Sequence, residues 1–261
     1  MIGVFDSGIG GLTVVKAIMA QLPGYDIVYF GDTARTPYGS KSPATVLNYA
    51  VQNTEFLLAH KAQIIVMACN TASSIATADL TANYPVPLFE VISPAVTLAL
   101  AQSRHGRIGV VGTRATINSD VYAQKIKRLR PGTQVYSQAC PLLVPLVEEG
   151  WLTRPETAMI VKKYLHPLKV RQIDTLILGC THYPLLAKLI ARKIGKRVQL
   201  IDSASAVAFQ IKSFLEEHPQ LKGSLGRNDR SSYFVSDLTE QFRSTACQVL
   251  KRPIDLKLIR L

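Results

Sequence analysis

The feature that most constrains the fold is a regular alternation of short apolar runs with longer helical patterns. Parallel strands need long crossover connections, which are usually helices, so this alternation predicts a parallel α/β fold. The runs that indicate strands are Ile2–Phe5, Ile27–Phe30, Ile64–Ala68, Leu88–Val91, Ile108–Gly112, Gln134–Ser137, Thr175–Leu178 and Val198–Ile201.

A weak internal repeat predicts two similar lobes. The segment that begins at Ile2 (Ile-Gly-Val-Phe-Asp-Ser) recurs in outline at Ile108 (Ile-Gly-Val-Val-Gly-Thr), and the segment around Cys69 recurs around Cys180. We therefore expect two pseudo-symmetric lobes, each a mostly parallel sheet flanked by helices. A fold of this kind has its site in the cleft between the lobes.

Turn signals suggest where the lobes begin and end. We expect the break near Ile92-Ser93-Pro94 and a return of the chain to the first lobe after Asp202, with Tyr233–Ser236 as an added strand. The first lobe would then comprise residues 1–92 and 203–261, and the second residues 93–202.

Smaller local signals mark helix starts and one loop. Ser42 and Ser93 each precede a proline and are expected to cap helices, as is Asp202 before Ser203. The stretch Lys222–Asp229 has the composition of a loop, and we expect a mobile surface connection there.

Composition indicates a folded protein of the cytoplasm. Hydrophobic residues make up 48% and charged residues 18% of the chain, and no segment approaches the roughly 18 apolar residues of a membrane span. The N-terminus enters a strand without a basic leader. The 4 cysteines are too scattered for a disulfide framework and are expected to be free thiols.

The net charge of +12 predicts a generally basic surface. Its basic residues are spread along the chain, and the short clusters lie on helical patterns as solvated faces do. Attraction of a small anionic substrate is compatible with this charge. Nucleic-acid binding is not expected, because no recognition helix or stacking aromatic residues accompany it.

Two cysteines lie where an apolar run ends and a helical pattern begins. Cys69 stands in Ile-Ile-Val-Met-Ala-Cys-Asn-Thr-Ala-Ser and Cys180 in Leu-Ile-Leu-Gly-Cys-Thr-His-Tyr-Pro. Each thiol should therefore lie at the carboxyl end of a buried strand and beside a helix N-terminus. The positive end of a helix stabilises an anion, so we expect a pKa below the roughly 8.5 of a free thiol.

The first turn, Phe5 to Thr13, resembles a dinucleotide fingerprint, and Asp32 follows the next strand at a plausible distance. The match is poor, because Thr13 replaces the third glycine and Asp6 would repel a pyrophosphate. Asp6 would instead bond a substrate ammonium or a neighbouring acid, while Ser7 and the glycine N–H groups hold a carboxylate. The alternative is that Asp6 or Ser7 only caps the helix.

His182 lies two residues beyond Cys180 and can exchange protons with groups near that thiol. A zinc site would need about four ligands, and no matched Cys or His spacing completes one, so no metal is expected. Glu148 or Glu149 ends an apolar helical run, and the sequence does not distinguish the two. Cys140 and Cys247 lack a polar turn and are assigned to packing.

Five motifs in order give the chain a specific resemblance to the glutamate racemases of the aspartate/glutamate racemase family. They extend from residue 2 to about residue 205. The motifs are Asp-Ser-Gly-Ile-Gly-Gly from Asp6, Gly-Asp-Thr-Ala-Arg-Thr-Pro-Tyr-Gly from Gly31, Ala-Cys-Asn-Thr-Ala from Ala68, Cys-Pro-Leu-Leu-Val-Pro-Leu-Val-Glu from Cys140 and Gly-Cys-Thr-His-Tyr-Pro-Leu from Gly179.

The resemblance implies two pseudo-symmetric α/β lobes, no cofactor, a homodimer, and a role in supplying D-glutamate for peptidoglycan. It also implies that Cys69 and Cys180 are catalytic bases, the first serving D-glutamate and the second L-glutamate, with Asp6, Glu148 and His182 assisting. The substrate-binding residues that it implies are Asp6, Ser7, Tyr38, Gly39, Asn70, Thr71, Thr113, Thr116, Thr181 and His182.

Two other functions remain open from the sequence. A racemase of the same fold could act on aspartate or a related amino acid, with a different depth for the side-chain carboxylate. A thiol hydrolase could use Cys180 with His182 alone, but it would leave Cys69 without a role.

Overall fold

The computed structural model describes residues 1–260 and contains two parallel sheets. The first sheet has the strand order β10-β9-β2-β1-β3-β4, and the second has the order β6-β5-β7-β8. The strands are β1 (Ile2–Asp6), β2 (Ile27–Gly31), β3 (Ile64–Met67), β4 (Leu88–Glu90), β5 (Arg107–Gly112), β6 (Gln134–Ala139), β7 (Thr175–Gly179), β8 (Gln199–Asp202), β9 (Ser231–Val235) and β10 (Leu256–Leu258).

The two sheets repeat one topology. Strands β1 to β4 follow the spatial order 2-1-3-4, and β5 to β8 follow the same order in the second sheet, with every pair parallel. Strand β3 of the first sheet is therefore equivalent to β7 of the second. This equivalence is the structural form of the weak sequence repeat, and the predicted architecture of two lobes with parallel sheets is confirmed.

Helices cover the faces of both sheets. They are α1 (Gly11–Gln21), α2 (Pro43–Ala59), α3 (Asn70–Asn83), α4 (Ile92–Gln102), α5 (Arg114–Asn118), α6 (Val121–Leu129), α7 (Leu143–Glu148), α8 (Pro155–Val170), α9 (Ala187–Ile194), α10 (Ser203–Glu217), α11 (Pro219–Ser224) and α12 (Glu240–Leu250).

One apolar cluster joins the lobes. It runs from Ile2 and Leu12 of the first lobe to Leu176 and Leu189 of the second, while two smaller clusters fill the other faces of the sheets. Helix α10 packs against both α1 and α4. Burial of these apolar side chains, at roughly 25 cal/mol for each Å² removed from water, is the main term that holds the two sheets together.

The carboxyl ends of equivalent strands direct the chain into the cleft. Cys69 follows β3, and Cys180 follows the equivalent strand β7. Because strands β1 and β5 are also equivalent, Asp6 and Thr113 lie at matching ends of the two sheets. The open crevice at the carboxyl ends of parallel strands is where α/β proteins bind ligands.

Two local expectations differ from the structure, and one strand has no counterpart in the predictions. Ser93 is not the cap of α4, because the Glu90 carboxylate accepts from the N–H groups of Ile92 and Ser93 and the helix begins at Ile92, two residues before the expected Pro94. Helix α11 occupies the first part of the expected loop, and the Asp26 carboxylate accepts from Asn228 N at 2.9 Å in its later part. Strand β10 was not predicted at all.

Three other local expectations are confirmed. The Ser42 hydroxyl accepts from Thr45 N at 3.3 Å at the start of α2, and Asp202 accepts from Ala204 N at 3.1 Å at the start of α10. The added strand near Tyr233 is β9. Within residues 1–260, no helix is both long and apolar enough to cross a bilayer.

Candidate active site

A narrow cavity between the lobes collects most of the site residues that the sequence predicts. Its volume is about 10 Å³, which is near the minimum that one water molecule needs. The predicted residues Asp6, Glu148 and Thr116 are outside this lining but are hydrogen-bonded to residues in it. The lining residues are Ser7, Pro37, Tyr38, Gly39, Cys69, Asn70, Thr71, Thr113, Val144, Cys180, Thr181 and His182.

Cys69 lies at the first-lobe side of this cavity, directly before α3. Its Sγ is 3.8 Å from Ser7 Oγ, and the side chain is buried. Burial, and then the negative charge of Asp6, raise the pKa of the Cys69 thiol to about 12, although a hydrogen bond from Ala72 N opposes the rise. The expected low pKa is therefore wrong for this thiol, because desolvation exceeds the effect of the helix N-terminus.

Asp6 is fully buried behind the cavity at the end of β1. Its Oδ2 accepts from Gly8 N and Gly11 N, each at 3.0 Å, and its Oδ1 accepts from Thr181 Oγ1 of the other lobe at 3.2 Å. Burial raises the pKa of Asp6, and the charge of His182 opposes that rise. The carboxylate therefore braces its own glycine turn, which leaves these two N–H groups without capacity for a phosphate.

Cys180, His182 and Glu148 form a hydrogen-bonded series on the second-lobe side. His182 Nδ1 lies 3.8 Å from Cys180 Sγ, and His182 Nε2 lies 2.6 Å from Glu148 Oε1. Glu149 is exposed to solvent, whereas Glu148 faces His182 and also accepts from Ile9 N at 3.5 Å. The structure thus distinguishes the two glutamates that the sequence did not.

His182 and Glu148 shift each other's pKa values. Burial alone would lower the pKa of His182, but hydrogen bonds to Cys180 and Glu148 and the charge of Glu148 raise it well above its ordinary value. Burial would likewise raise the pKa of Glu148, and its hydrogen bond and charge interaction with His182 lower it. The His182 imidazolium lies next to Cys180 and can donate a proton there.

Three threonine hydroxyls join the lobes at the cavity. Thr71 Oγ1, from the first lobe, lies 2.9 Å from Thr113 Oγ1 and 3.2 Å from Thr116 Oγ1. Thr113 and Thr116 are 3.0 Å apart across the first turn of α5. Hydroxyl groups donate and accept, so this cluster can turn its donors toward a carboxylate.

Asn70 has one polar atom without a partner. Its Oδ1 accepts from Tyr122 OH at 2.6 Å, across the lobes, while its buried Nδ2 has no hydrogen-bond partner in the described chain. Unpaired buried donors are uncommon, since each costs about 1–3 kcal/mol. A ligand oxygen in the cavity would satisfy Asn70 Nδ2. Tyr122 was missed by sequence reasoning because its partner is 52 residues away along the chain.

Tyr38 and Gly39 reach the cavity in different ways. The Tyr38 hydroxyl turns into the first lobe, where it donates to Asp32 and accepts from Asn53 Nδ2 at 3.0 Å. Gly39 meets the second lobe so closely that an added Cβ would lie 2.4 Å from Thr113 Cβ. Asp32 therefore serves this loop, not a nucleotide ribose.

Within residues 1–260, no group of three or more His, Cys, Asp or Glu side chains is arranged to hold a metal ion. Cys140 is fully buried in the larger apolar cluster, and Cys247 is half-buried on α12.

One thiol from each lobe on a shared cavity is an arrangement suited to inversion at a carbon atom. A proton must leave one face of the carbon and another must arrive at the opposite face, which one base cannot easily do. The fold and the site together define the class of this protein, which is an isomerase of the racemase type.

The chain belongs to the Asp/Glu/Hydantoin racemase family, whose model matches residues 2–211. It is 52% identical over 207 residues to a glutamate racemase of Syntrophus aciditrophicus, covering 79% of this chain and 77% of the relative. A glutamate racemase structure from Bacillus anthracis superposes with a TM-score of 0.94 at 37% identity, covering 100% of this chain and 97% of that one. A structure from Francisella tularensis, in complex with D-glutamate, has a TM-score of 0.91 at 39% identity, with coverages of 99% and 96%.

Proposed function

We propose that this protein interconverts L- and D-glutamate by a two-base mechanism in which Cys69 and Cys180 are the bases. The observation that carries the proposal is that both thiols border one cavity and follow equivalent strands of the two lobes. Glutamate is the substrate that we propose, because relatives that cover 79% to 100% of this chain are named glutamate racemases.

In the proposed reaction, the Cys69 thiolate removes the α-proton of D-glutamate. The Cys180 thiol then delivers its own proton to the opposite face, which gives L-glutamate, a protonated Cys69 and a Cys180 thiolate. The reverse reaction begins from that state. The raised pKa of Cys69 means that this thiol must lose its proton with help, and the ammonium group of the substrate supplies a positive charge beside it.

The neighbouring acids and bases assist each thiol. Asp6 lies close enough to Cys69 for its charge to raise the pKa of that thiol, and we assign it to proton exchange with the substrate or the thiol. His182, oriented by Glu148, exchanges a proton with Cys180. These three residues are held by hydrogen bonds to their neighbours, which orients them for proton transfer once the substrate is bound.

The remaining residues bind the two carboxylates of glutamate. Asn70 Nδ2 is an unpaired donor, and the hydroxyls of Thr71, Thr113 and Thr116 form a cluster beside it. Cys69 is the N-cap of α3, so the N–H groups that begin this helix lie next to its thiol. The substrate-binding set also includes Asp6, Ser7, Tyr38, Gly39, Thr181 and His182.

The setting of the enzyme follows from this activity. We propose that it acts in the cytoplasm, as a homodimer, and supplies D-glutamate for peptidoglycan. The lobes would be residues 1–92 with 203–261, and residues 93–202. Strands β9 and β10 in the first sheet support that division, since the chain crosses back after Asp202.

Circular dichroism of the purified protein with L- or D-glutamate tests the proposal directly. Both enantiomers should decay to zero ellipticity without added cofactor, and in heavy water the product enantiomer should carry deuterium at the α-carbon. Decay with aspartate but not with glutamate would reassign the substrate. Retention of the original α-hydrogen would contradict proton exchange with the two thiols.

Cysteine replacement tests the two-base mechanism. Cys69→Ser and Cys180→Ser should each reduce kcat by about 10²-fold or more, because a serine hydroxyl is far too weak an acid to serve as an anion near neutral pH. Cys247→Ser is the matched control, since this half-buried thiol lies on α12 outside the cavity lining. If the protein were instead a thiol hydrolase that uses Cys180 with His182, only the Cys180→Ser variant would lose its activity.

A further inference from the structure

A second cavity, of about 580 Å³, lies at the edge of the second sheet opposite the active site. Its residues come from the first residues of β5 and β8 and from the segments that precede β5, β7 and β8, whereas Cys180 and His182 follow β7 at its opposite end. The lining residues are Gln102, Arg104, His105, Arg107, Lys169, Gln172, Ile173, Asp174, Ile194, Arg197, Val198 and Gln199.

The rim of this cavity is strongly cationic. Arg104, Arg107, Lys169 and Arg197 all line it, and none of them forms a salt bridge with the acidic residues of the described chain. Like charges that converge without counter-charges repel each other, so they favour an anion among them.

The single carboxylate at the cavity is already satisfied by other groups. Asp174 Oδ1 accepts from Ser103 Oγ and Thr175 Oγ1, each at 2.8 Å, and Asp174 Oδ2 accepts from His105 N at 2.5 Å. The hydrogen bonds that Asp174 accepts hold the loop before β5 against the loop before β7. Asp174 therefore shapes the cavity, and the four cations keep their charge available to a ligand.

The floor of the cavity is apolar. Ile173 and Ile194 line it, with 5% and 3% of their surface exposed. Arg107 is partly held in place, since its Nη1 donates to Gln172 Oε1 at 3.3 Å. A cavity lined by two buried isoleucines and four cationic side chains suits a compact ligand with phosphate groups at one end and an organic part at the other.

We propose that this cavity is a binding site for a small phosphorylated molecule that carries at least two phosphate groups. Arg104 and Arg197 provide forked donors that suit phosphate oxygens, and Lys169 adds a point charge. A recess of this size encloses a small molecule, whereas a nucleic-acid duplex requires a continuous basic surface with several phosphate contacts. The proposal is independent of the racemase activity.

Titration calorimetry with inorganic pyrophosphate, at about 0.15 M ionic strength, tests the site. The test variant is Arg104→Gln combined with Arg197→Gln, because both side chains are exposed and their loss should not disturb the core. The control is Lys61→Gln combined with Lys257→Gln, which removes the same charge from exposed positions of the first lobe. Lys169→Gln is a second test variant at a single exposed position.

The native protein and the control should bind one pyrophosphate per chain with equal affinity. The double variant should bind at least tenfold more weakly, the Lys169 variant should lie between the two, and all proteins should keep normal racemase activity. Absence of pyrophosphate binding, or an equal loss in the test and control variants, would overturn the proposal. Binding of a short DNA duplex that depends on Arg104 and Arg197, without pyrophosphate binding, would overturn it in favour of nucleic acid.

Discussion

At the residue scale, the ion pair between His182 and Glu148 joins the chemistry of the site to its stability. The folded pKa of His182 is raised, so its contribution is complete below its ordinary value of about 6.5 and is lost as pH rises through the raised pKa. The folded pKa of Glu148 is lowered, so its contribution is complete above about 4.3 and is lost as pH falls through the lowered pKa. Both contributions to the free energy of unfolding are therefore complete between about pH 4.3 and about pH 6.5.

Glu148→Gln should remove this pair. The free energy of unfolding, measured by urea denaturation, should fall relative to the native protein near neutral pH, and the difference should shrink when pH exceeds the raised pKa of His182. Glu149→Gln is the matched control. The Glu149 carboxylate is exposed, so this substitution should change the free energy of unfolding by less than about 0.5 kcal/mol. A difference that grows with alkaline pH would contradict the assignment.

The same variant has a kinetic consequence. The two enantiomers of glutamate have equal free energy, so kcat/KM must fall by one factor in both directions, and we expect at least tenfold because a positioned acid contributes about 10²–10⁴. The separate kcat values need not fall equally. Coupled assays in both directions measure them, and a kcat/KM equal to that of the Glu149→Gln control would exclude a role for Glu148.

At the element scale, the loop from β2 to Tyr38 is held by side chains that the sequence did not connect. Arg35 Nε donates to Asp32 Oδ1 at 2.8 Å and Oδ2 at 2.6 Å, and Ser236 Oγ of the returning chain donates to Asp32 Oδ1 at 2.9 Å. Because Tyr38 also bonds Asp32, this buried carboxylate fixes the loop that brings Gly39 to the cavity.

Arg35→Gln should loosen that loop. We expect a loss of about 1–3 kcal/mol in unfolding free energy, since a buried carboxylate loses its charged donor, together with a higher KM for glutamate. Arg243→Gln is the control, because it breaks an exposed pair with Glu240 that is worth little. Thermal denaturation and steady-state kinetics measure both effects. A variant that loses stability with an unchanged KM would show that the network supports the fold without positioning the site.

Local sequence patterns predicted where most helices and strands lie, but they predicted less well where these elements end and which side chains they contact. Strands could be located because apolar runs and turn residues act within a few positions, and Cys69 and Cys180 could be found for the same reason. The start of α4 could not, since the Glu90 carboxylate replaces the expected Ser93 cap. The prediction of a low pKa for Cys69 is wrong, because the burial that raises it depends on the packing of both lobes.

At the scale of the whole molecule, the lobes meet so closely that their separation limits access to the site. The cavity is too small for a glutamate, so the lobes must move apart for substrate to enter and close again for catalysis. Glycines make the closed state possible. A Cβ on Gly10 would lie 2.3 Å from Thr181 Oγ1, and one on Gly39 would lie 2.4 Å from Thr113 Cβ.

Gly39→Ala tests whether this contact sets the spacing of the lobes. The added methyl group meets Thr113 Cβ, a branched carbon that cannot rotate away, so the closed cleft should widen and kcat/KM should fall at least tenfold. Gly132→Ala is the control, since an added Cβ there meets nothing within 4 Å. Small-angle scattering with saturating glutamate should show a larger radius of gyration for Gly39→Ala than for the control. An alanine variant with native kinetics and native dimensions would mean that the loop yields, and that the threonine contact does not determine closure.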